Sequence, residues 1–403
     1  MPAPLDGLKV VDIGWIMVGP ISGRYLAELG ADTIKVETAK RPDPLRSLGP
    51  FKDGTPGLER TVSYHMINAQ KRGLAIDVKA AEGLDIVRRL AAGADVFIES
   101  FTPGAIDQMG LSFEALSQDN PGLIMVSTGI LGRKGSIGLG MSGTGVTGAA
   151  YAGATNLLGW PDRPPNGPFG PWTDGIAPRF VVACVLAAIH RRRRTGRGTY
   201  IDLAQAEAGL QFLSPAYFDY VVNGVVAQRT GSAGSPLKAP CGAYPCRGED
   251  RWIVIDADTA ERWEALRAVF SPALDAPEFS TLVGRLRSRA KLDDQITAWT
   301  RTREPADAEA TLQSAGVPAH VIASDEDLAF DPDLEATGYH CRVEDPLLGE
   351  LWLPGPQFTL SKTPHEARRA GPRIGDSTDA ILAGVLGLSP SEIDRLKQSS
   401  VLG

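Results

Sequence analysis

Leu8-Lys-Val-Val-Asp-Ile13, Thr33-Ile-Lys-Val-Glu37, Leu74-Ala-Ile-Asp-Val78, Asp95-Val-Phe-Ile-Glu99 and Leu123-Ile-Met-Val-Ser-Thr128 are five short runs rich in β-branched residues. Helical patterns lie between several of them. One closes over Leu26 to Leu29 before the stop signal of Gly30. Another covers Ala81–Ala92, with Leu84, Val87 and Leu90 at three-residue steps on one face and Gly93 beyond its end. Strands alternating with helices argue for right-handed crossovers and a parallel, doubly wound sheet. In such a sheet the ligand crevice lies beyond the C-terminal ends of the strands.

From Gly129 to Gly175 the alternation dissolves into a Gly/Pro-rich stretch, including Gly138–Gly148 and Pro161-Asp-Arg-Pro-Pro-Asn-Gly-Pro-Phe-Gly-Pro171, read as a long ordered loop. An apolar helix follows at Ile176–His190, ended by Arg191–Arg194, whose charges suit a helix C-terminus. A strand at Tyr200–Leu203 and a helix over Gln205–Val222 come next. After the loop Thr230–Ala239, a strand at Trp252–Asp256, helices near Ala260–Phe270, Leu282–Ala290 and Asp293–Thr300, and a strand at Ala319–Ile322 predict a smaller α+β unit. A Pro-punctuated, strand-like run from Cys341 to Leu360 precedes two short helices, Thr378–Leu386 and Ser389–Lys397. Pattern alone leaves open where this tail packs.

The composition narrows the function classes. At about 150 residues per domain, 403 residues imply two to three domains, and 43% hydrophobic residues support a sizeable core. A net charge of −7 disfavours a nucleic-acid-coating surface or a polybasic membrane anchor. Four cysteines without a C-x-x-C pair point to a reduced, cytoplasmic protein. The start, Met1-Pro-Ala-Pro-Leu-Asp6, has no signal-peptide pattern, and no window approaches the roughly 18 uninterrupted apolar residues of a membrane span. The 45 glycines and 30 prolines are nearly a fifth of the chain, which implies many loops, and loops carry sites.

Gly143-Thr-Gly145-Val-Thr-Gly148 matches G-x-G-x-x-G, but it does not join a strand directly to a helix, and no acidic residue sits about 20 residues on at the end of a second strand. Close packing of small residues is the better reading. The five histidines are scattered, no Cys/His cluster has zinc spacing, and no G-x-S-x-G elbow appears, so neither a metal site nor a serine hydrolase is expected. Arg191–Arg194 reads as a solvated helix end rather than a phosphate patch. Asp174, in Gly170-Pro-Trp-Thr-Asp-Gly-Ile-Ala-Pro-Arg179, stands out at the mouth of the apolar helix. Two readings are open: an ordinary N-cap, or a carboxylate with the usual pKa of about 3.9, ionised at neutral pH and able to attack a carbonyl without a base.

Several blocks in order resemble a family III CoA-transferase of the CaiB/BaiF type. They are Pro4-Leu-Asp-Gly-Leu-Lys-Val-Val-Asp12, Leu29-Gly-Ala-Asp-Thr-Ile-Lys-Val-Glu37, Lys71-Arg-Gly-Leu-Ala-Ile-Asp77, Ala94-Asp-Val-Phe-Ile-Glu-Ser-Phe101 with Pro103-Gly-Ala-Ile-Asp107, and Gly196-Arg-Gly-Thr-Tyr-Ile-Asp202. Leu386-Gly-Leu-Ser-Pro-Ser-Glu-Ile-Asp394 resembles the usual ending. The resemblance implies an α/β fold with a Rossmann-like, doubly wound large domain, built from 1–224 and 331–403, and an inserted small α+β domain over 225–330. It also implies a dimer of interlocked rings, either a homodimer or a heterodimer with a homologous chain, acting without nucleic acid or membrane partners.

The activity it implies is transfer of CoA from a donor acyl-CoA to a small carboxylic acid, with CoA esters as substrates and no tightly bound cofactor. By position, Asp174 matches the nucleophilic aspartate, which forms an aspartyl anhydride and then an aspartyl-CoA thioester. Ile76, Lys79 and Phe101 match CoA-contact positions. At other such positions this chain departs: Met17 stands where Gln is usual, Thr38 and Gln108 replace arginines, Ser100 replaces Asn, and Gly145 replaces a Glu that assists the nucleophile. Losing two guanidiniums weakens a phosphate-binding surface unless Lys40, Arg41 or Arg46 compensates. Two alternatives stand beside the transferase. One is a non-catalytic subunit paired with an active homologue. The other, an α-methylacyl-CoA racemase, is weaker, because no histidine occurs between His65 and His190.

Overall fold

The computed structural model describes residues 2–134, 142–235, 237–364 and 369–402. Part of the expected loop, including Gly138, and the histidine at position 365 lie outside the described residues. Four of the five runs form strands β1 (Lys9–Asp12), β2 (Asp32–Glu37), β4 (Val96–Glu99) and β5 (Ile124–Gly129); at the run Leu74–Val78 the strand β3 (Arg72–Ala75) starts two residues earlier and ends before Ile76, and β6 (Thr199–Ala204) joins them. They make one sheet in the order β3-β2-β1-β4-β5-β6, with every neighbour parallel. This is the Rossmann order, in which the chain winds outward from β1, returns, and winds outward again from β4.

Alternate residues of each strand face opposite layers, as the pleat requires. Val11, Ile34, Val36, Phe97 and Met125 meet Ile86, Val87 and Leu90 on one face. Val10, Val96, Ile98, Ile124 and Val126 meet Leu26, Val181 and Val185 on the other. Five helices matter below: α1 (Val18–Glu28), α2 (Ala81–Ala92), α3 (Gly145–Tyr151), α4 (Trp172–Thr195) and α5 (Gln205–Phe212). Helix α4 is the single helix among the described residues long and apolar enough to cross a membrane. It is instead the crossover between β5 and β6, with Ala177, Val181, Val185, Ala188 and Ile189 buried against the sheet.

The chain divides into two compact units. The first collects Met1–Ala154, Pro168–Pro215 and Asp333–Gly403; the second, Thr155–Gly167 and Ala216–Pro332. Residues 155–167 and 216–224 thus group with the second unit, whereas the sequence reading places them in the large domain. The second unit holds an antiparallel sheet of β7 (Cys241–Pro245), β8 (Trp252–Asp256) and β9 (Ala319–Val321) over a core that includes Trp263, Leu266, Phe270 and Leu292. In the first unit, the tail forms the hairpin β10 (His340–Asp345) and β11 (Gly349–Pro354). Its two helices, Thr378–Gly384 and Pro390–Gln398, put Ile381, Leu382, Ile393 and Leu396 into the first core layer.

Two elements depart from expectation for local reasons. The helix expected over Gln205–Val222 breaks after Phe212 and resumes as Ser214–Asn223. Pro215 has no N–H for the Gln211 carbonyl, and the Ser214 hydroxyl donates to that carbonyl instead, at 2.8 Å. Helix α4 begins four residues before the expected Ile176, which moves Asp174 inside it.

Candidate active site

A helix that precedes a parallel strand runs antiparallel to it, so its first turn lies at the C-terminal edge of the sheet. Asp174 is the third residue of α4 and therefore sits at that edge. The N-cap position belongs to Pro171, which has no capping side chain, so the N-cap reading of Asp174 does not hold. The carboxylate points instead to α3, where the Gly145 N–H donates to Oδ2 at 3.1 Å. Four residues on, Pro178 has no N–H to offer the Asp174 carbonyl, which frees this turn from one helical bond.

Asp174 is only 6% exposed. Burial raises its pKa to about 6, partly offset by the Gly145 hydrogen bond, and no cation contributes. The expected value of about 3.9 is therefore corrected upward, and the group is still mostly ionised at pH 7. Among the described residues only Oδ2 has a hydrogen-bond donor, which leaves Oδ1 open.

The glycine pattern before α4 has a packing role. A Cβ at Gly145 would lie 2.7 Å from the Pro171 carbonyl carbon and 2.8 Å from Asp174 Oδ2, and one at Gly148 would lie 2.5 Å from Thr173 Oγ1. No side chain fits at Gly145 while α3 lies this close to α4, and what meets Asp174 there is a backbone N–H. The Thr173 hydroxyl lies 3.3 Å from the Gly145 carbonyl and 3.5 Å from Gln205 Oε1, holding the same turn from behind. The G-x-G-x-x-G match opens a helix, but β5 ends at Gly129, so it is not a strand-to-helix phosphate loop. Sequence reasoning did not find the Gly145 contact. Its signal was the pair of glycines three apart, Gly145 and Gly148, facing a helix start.

The second part of the site lies where β1 and β4 end side by side. Trp15 follows β1 and Phe101 follows β4; their rings meet edge to face at 5.5 Å. Ser100 clips the two loops together: the Trp15 N–H donates to its Oγ at 2.7 Å, and its hydroxyl reaches the Trp15 carbonyl at 3.2 Å. The Phe101 N–H is held by Glu99 Oε2 at 2.8 Å. Burial pushes the Glu99 carboxyl up to about 7. Of the expected CoA contacts, Ile76 is 1% exposed and belongs to the first core layer, so its side chain is structural. Lys79 is exposed, with its N–H on Asp77 Oδ1 at 3.0 Å. Phe101 is half-buried in the crevice wall. Met17 packs on the small cluster of Leu45, Tyr64 and Ile67.

Arg229 donates to the Asn156 and Trp160 carbonyls within the second unit, and Arg179 folds onto the Gly175 carbonyl. The His65 ring is locked between the Gly371 carbonyl (2.8 Å) and the Glu59 carbonyl (3.1 Å). His190 lies on α4 itself, about 24 Å along the helix from Asp174 at 1.5 Å per residue. Neither is placed as a proton carrier beside Asp174. Among the described residues no group of three or more His, Cys, Asp or Glu could hold a metal ion.

A Rossmann-like α/β unit with a desolvated, unpaired aspartate at the start of a crossover helix defines the class, and comparison with known proteins gives the family. The chain belongs to CoA-transferase family III, whose pattern it matches over residues 5–378. It is 32% identical over 403 residues to the succinyl-CoA–D-citramalate CoA-transferase of Chloroflexus aurantiacus, covering 100% of this chain and 98% of that one. It is 30% identical over 408 residues to the subunit BbsE of succinyl-CoA:(R)-benzylsuccinate CoA-transferase from Thauera aromatica, covering 96% and 95%. A solved CaiB/BaiF family protein from Brucella suis superposes with a TM-score of 0.86 at 29% identity, covering 96% of this chain and 100% of that one. The protein is a CoA-transferase, and CoA esters are its substrates.

Proposed function

We propose that Asp174 is the covalent nucleophile of a transfer from succinyl-CoA to a dicarboxylic acid. Oδ1 attacks the thioester carbonyl, the C–S bond breaks, and an aspartyl anhydride and CoA thiolate form. The thiolate then attacks the aspartyl carbon, expels succinate and leaves an aspartyl-CoA thioester. The acceptor carboxylate attacks that thioester, and the thiolate released a second time attacks the acceptor acyl group. The acceptor leaves as its CoA ester and the Asp174 carboxylate is regenerated. No step moves a proton, so no base is needed beside the nucleophile. The observation that carries this reading is the burial of Asp174 against a single backbone donor with no cation. Burial keeps water from the anhydride, and the Gly145 N–H sits where an oxyanion on the aspartyl carbon develops. The choice of donor and acceptor class rests on the succinyl-CoA transferases that the chain resembles over its full length.

We further propose that the two units are domains of a chain that threads with a second copy, or with a homologous subunit, as interlocked rings in the cytoplasm. It would act without a tightly bound cofactor and without nucleic acid or membrane partners. Support for the heteromeric form is that one relative is itself named as a subunit; there a structural role for this chain becomes the second reading. Incubating the protein with succinyl-CoA and hydroxylamine, followed by peptide mass spectrometry, tests the nucleophile: Asp174 is expected as a hydroxamate. An unmodified Asp174 together with full turnover overturns the assignment. Native mass spectrometry of the purified chain, with and without its co-expressed homologue, separates homodimer from heteromer.

A further inference from the structure

Three cations follow β2, and the structure employs each differently. Arg46 is 1% exposed, with Nε 2.6 Å from Glu37 Oε1, Nη1 2.7 Å from Glu59 Oε2, and its guanidinium 3.7 Å over the Tyr64 ring. It is consumed inside the fold. Lys40 Nζ bonds Asp77 Oδ2 at 2.9 Å and the Ser400 carbonyl at 2.8 Å. Hydrogen bonding from Lys40 first, and the charges of Lys40 and Lys79, hold the Asp77 carboxyl below its usual value. The fields of both lysines are therefore partly neutralised there. Arg41 is exposed, and among the described residues no carboxylate is paired with it. Its guanidinium lies 4.9 Å from the centroid of Trp15.

Trp15 is not a mobile surface ring. Phe101 meets it edge to face, and Ser100 bonds its backbone on both the N–H and the carbonyl side. A guanidinium resting on that ring is pre-oriented, weakly hydrated and left with its N–H fork free for an anion. It stands at the crevice between β1 and β4, where a doubly wound sheet takes its ligand. Thr38, Ser100 and Gln108, around the same crevice, bring no charge.

We infer that Arg41, seated on Trp15, is the principal phosphate-contacting cation for acyl-CoA in this chain. The inference rests on the CoA-transferase reading and names the residue that supplies the missing charge. Trp15 is then a positioning residue that acts through Arg41. An ammonium at position 41 would keep the charge and lose the planar fork, so lysine is not an equivalent there.

Calorimetry of CoA and dephospho-CoA with the full-length protein, together with steady-state kinetics, tests this. Arg41→Ala is expected to weaken CoA about tenfold to thirtyfold, the effect of losing charge-assisted hydrogen bonds. The KM for acyl-CoA should rise in step, while kcat, the acceptor KM and the melting temperature stay unchanged. Arg41→Lys recovers part of the loss, and Trp15→Leu mimics Arg41→Ala in CoA affinity. An equal loss for CoA and dephospho-CoA places Arg41 on the diphosphate; a loss for CoA alone places it on the 3′-phosphate. Both outcomes support the inference. Unchanged CoA affinity in Arg41→Ala, with the loss found in Lys79→Ala instead, overturns it and leaves the Asp174 assignment standing. Absence of CoA binding by the unaltered protein overturns both. An unlabelled Asp174 with Arg41→Ala still weakening CoA overturns only the nucleophile.

Discussion

Two sets of buried carboxylates stand at the C-terminal edge of one sheet and have opposite surroundings. In the β1–α1 loop region, Asp12 and Asp43 are both 0% exposed, and each has an ammonium partner. Lys71 Nζ lies 2.6 Å from Asp12, and Lys35 Nζ lies 3.1 Å from Asp43. Each also accepts a loop N–H, from Gly14 at 2.9 Å and Ile16 at 3.0 Å. This compensated network is stiff enough to hold Ile16 at φ 65°, which a β-branched residue otherwise avoids. Asp174 has one backbone N–H and no cation. The same functional group is a fastener where its charge is matched and, in the proposed mechanism, a reagent where burial is left uncompensated.

The sharpest way to break that contrast is to remove each charge in turn. Asp174→Asn should cut turnover by at least a thousandfold, read in an acyl-transfer assay, while making the fold more stable. Folding raises this acid's pKa, so its destabilising contribution is absent below about pH 4 and complete above about pH 6, and the amide removes up to roughly 3 kcal/mol of it at neutral pH. Lys71→Met should do the reverse. It leaves Asp12 buried and unpaired, at a cost of about 3–5 kcal/mol in urea unfolding, with activity falling only as folded protein is lost. Gly145→Ala pushes a methyl against Pro171 and Asp174, and should cost about 1–3 kcal/mol and lower kcat about tenfold or more. The mildest probe is pH. A protonated Asp174 cannot attack, so kcat/KM should fall about tenfold between pH 7 and pH 5 around an apparent pKa near 6; an acid limb near pH 4 would mean the site is wetter than the structure shows.

Most of the sheet was legible because its signal is periodic and local: four strands and the Ala81–Ala92 helix fall where their side chains alternate or recur, while β3 lies two residues earlier than its apolar run. The strand Cys241–Pro245 was not, since Pro240, Gly242 and Pro245 punctuate it as they would a turn. Asp174 could be singled out by composition and by resemblance, but its chemistry could not. Whether a carboxylate at a helix start caps the helix or faces a neighbour depends on where the helix begins, and α4 begins earlier than its apolar run. Similarly, Lys40, Arg41 and Arg46 look interchangeable in sequence. Only their partners, Asp77 and Ser400, Trp15, and Glu37 and Glu59, tell them apart.

The tail that completes the first unit has a consequence for biosynthesis. Thr378 Oγ1 accepts from the β3 residue Ala75, and the carbonyl of Val401 accepts from the N–H of Asp77, while Ile381 and Leu396 seal the layer above the sheet. At roughly 5–20 residues per second, these partners leave the ribosome some 15–60 s after the strand they cover. Until then the nascent chain leaves an apolar sheet face uncovered. A premature stop a few dozen residues from the end should therefore give a nearly full-length product retained by chaperones or aggregated, although its Asp174 and crevice sequences are intact.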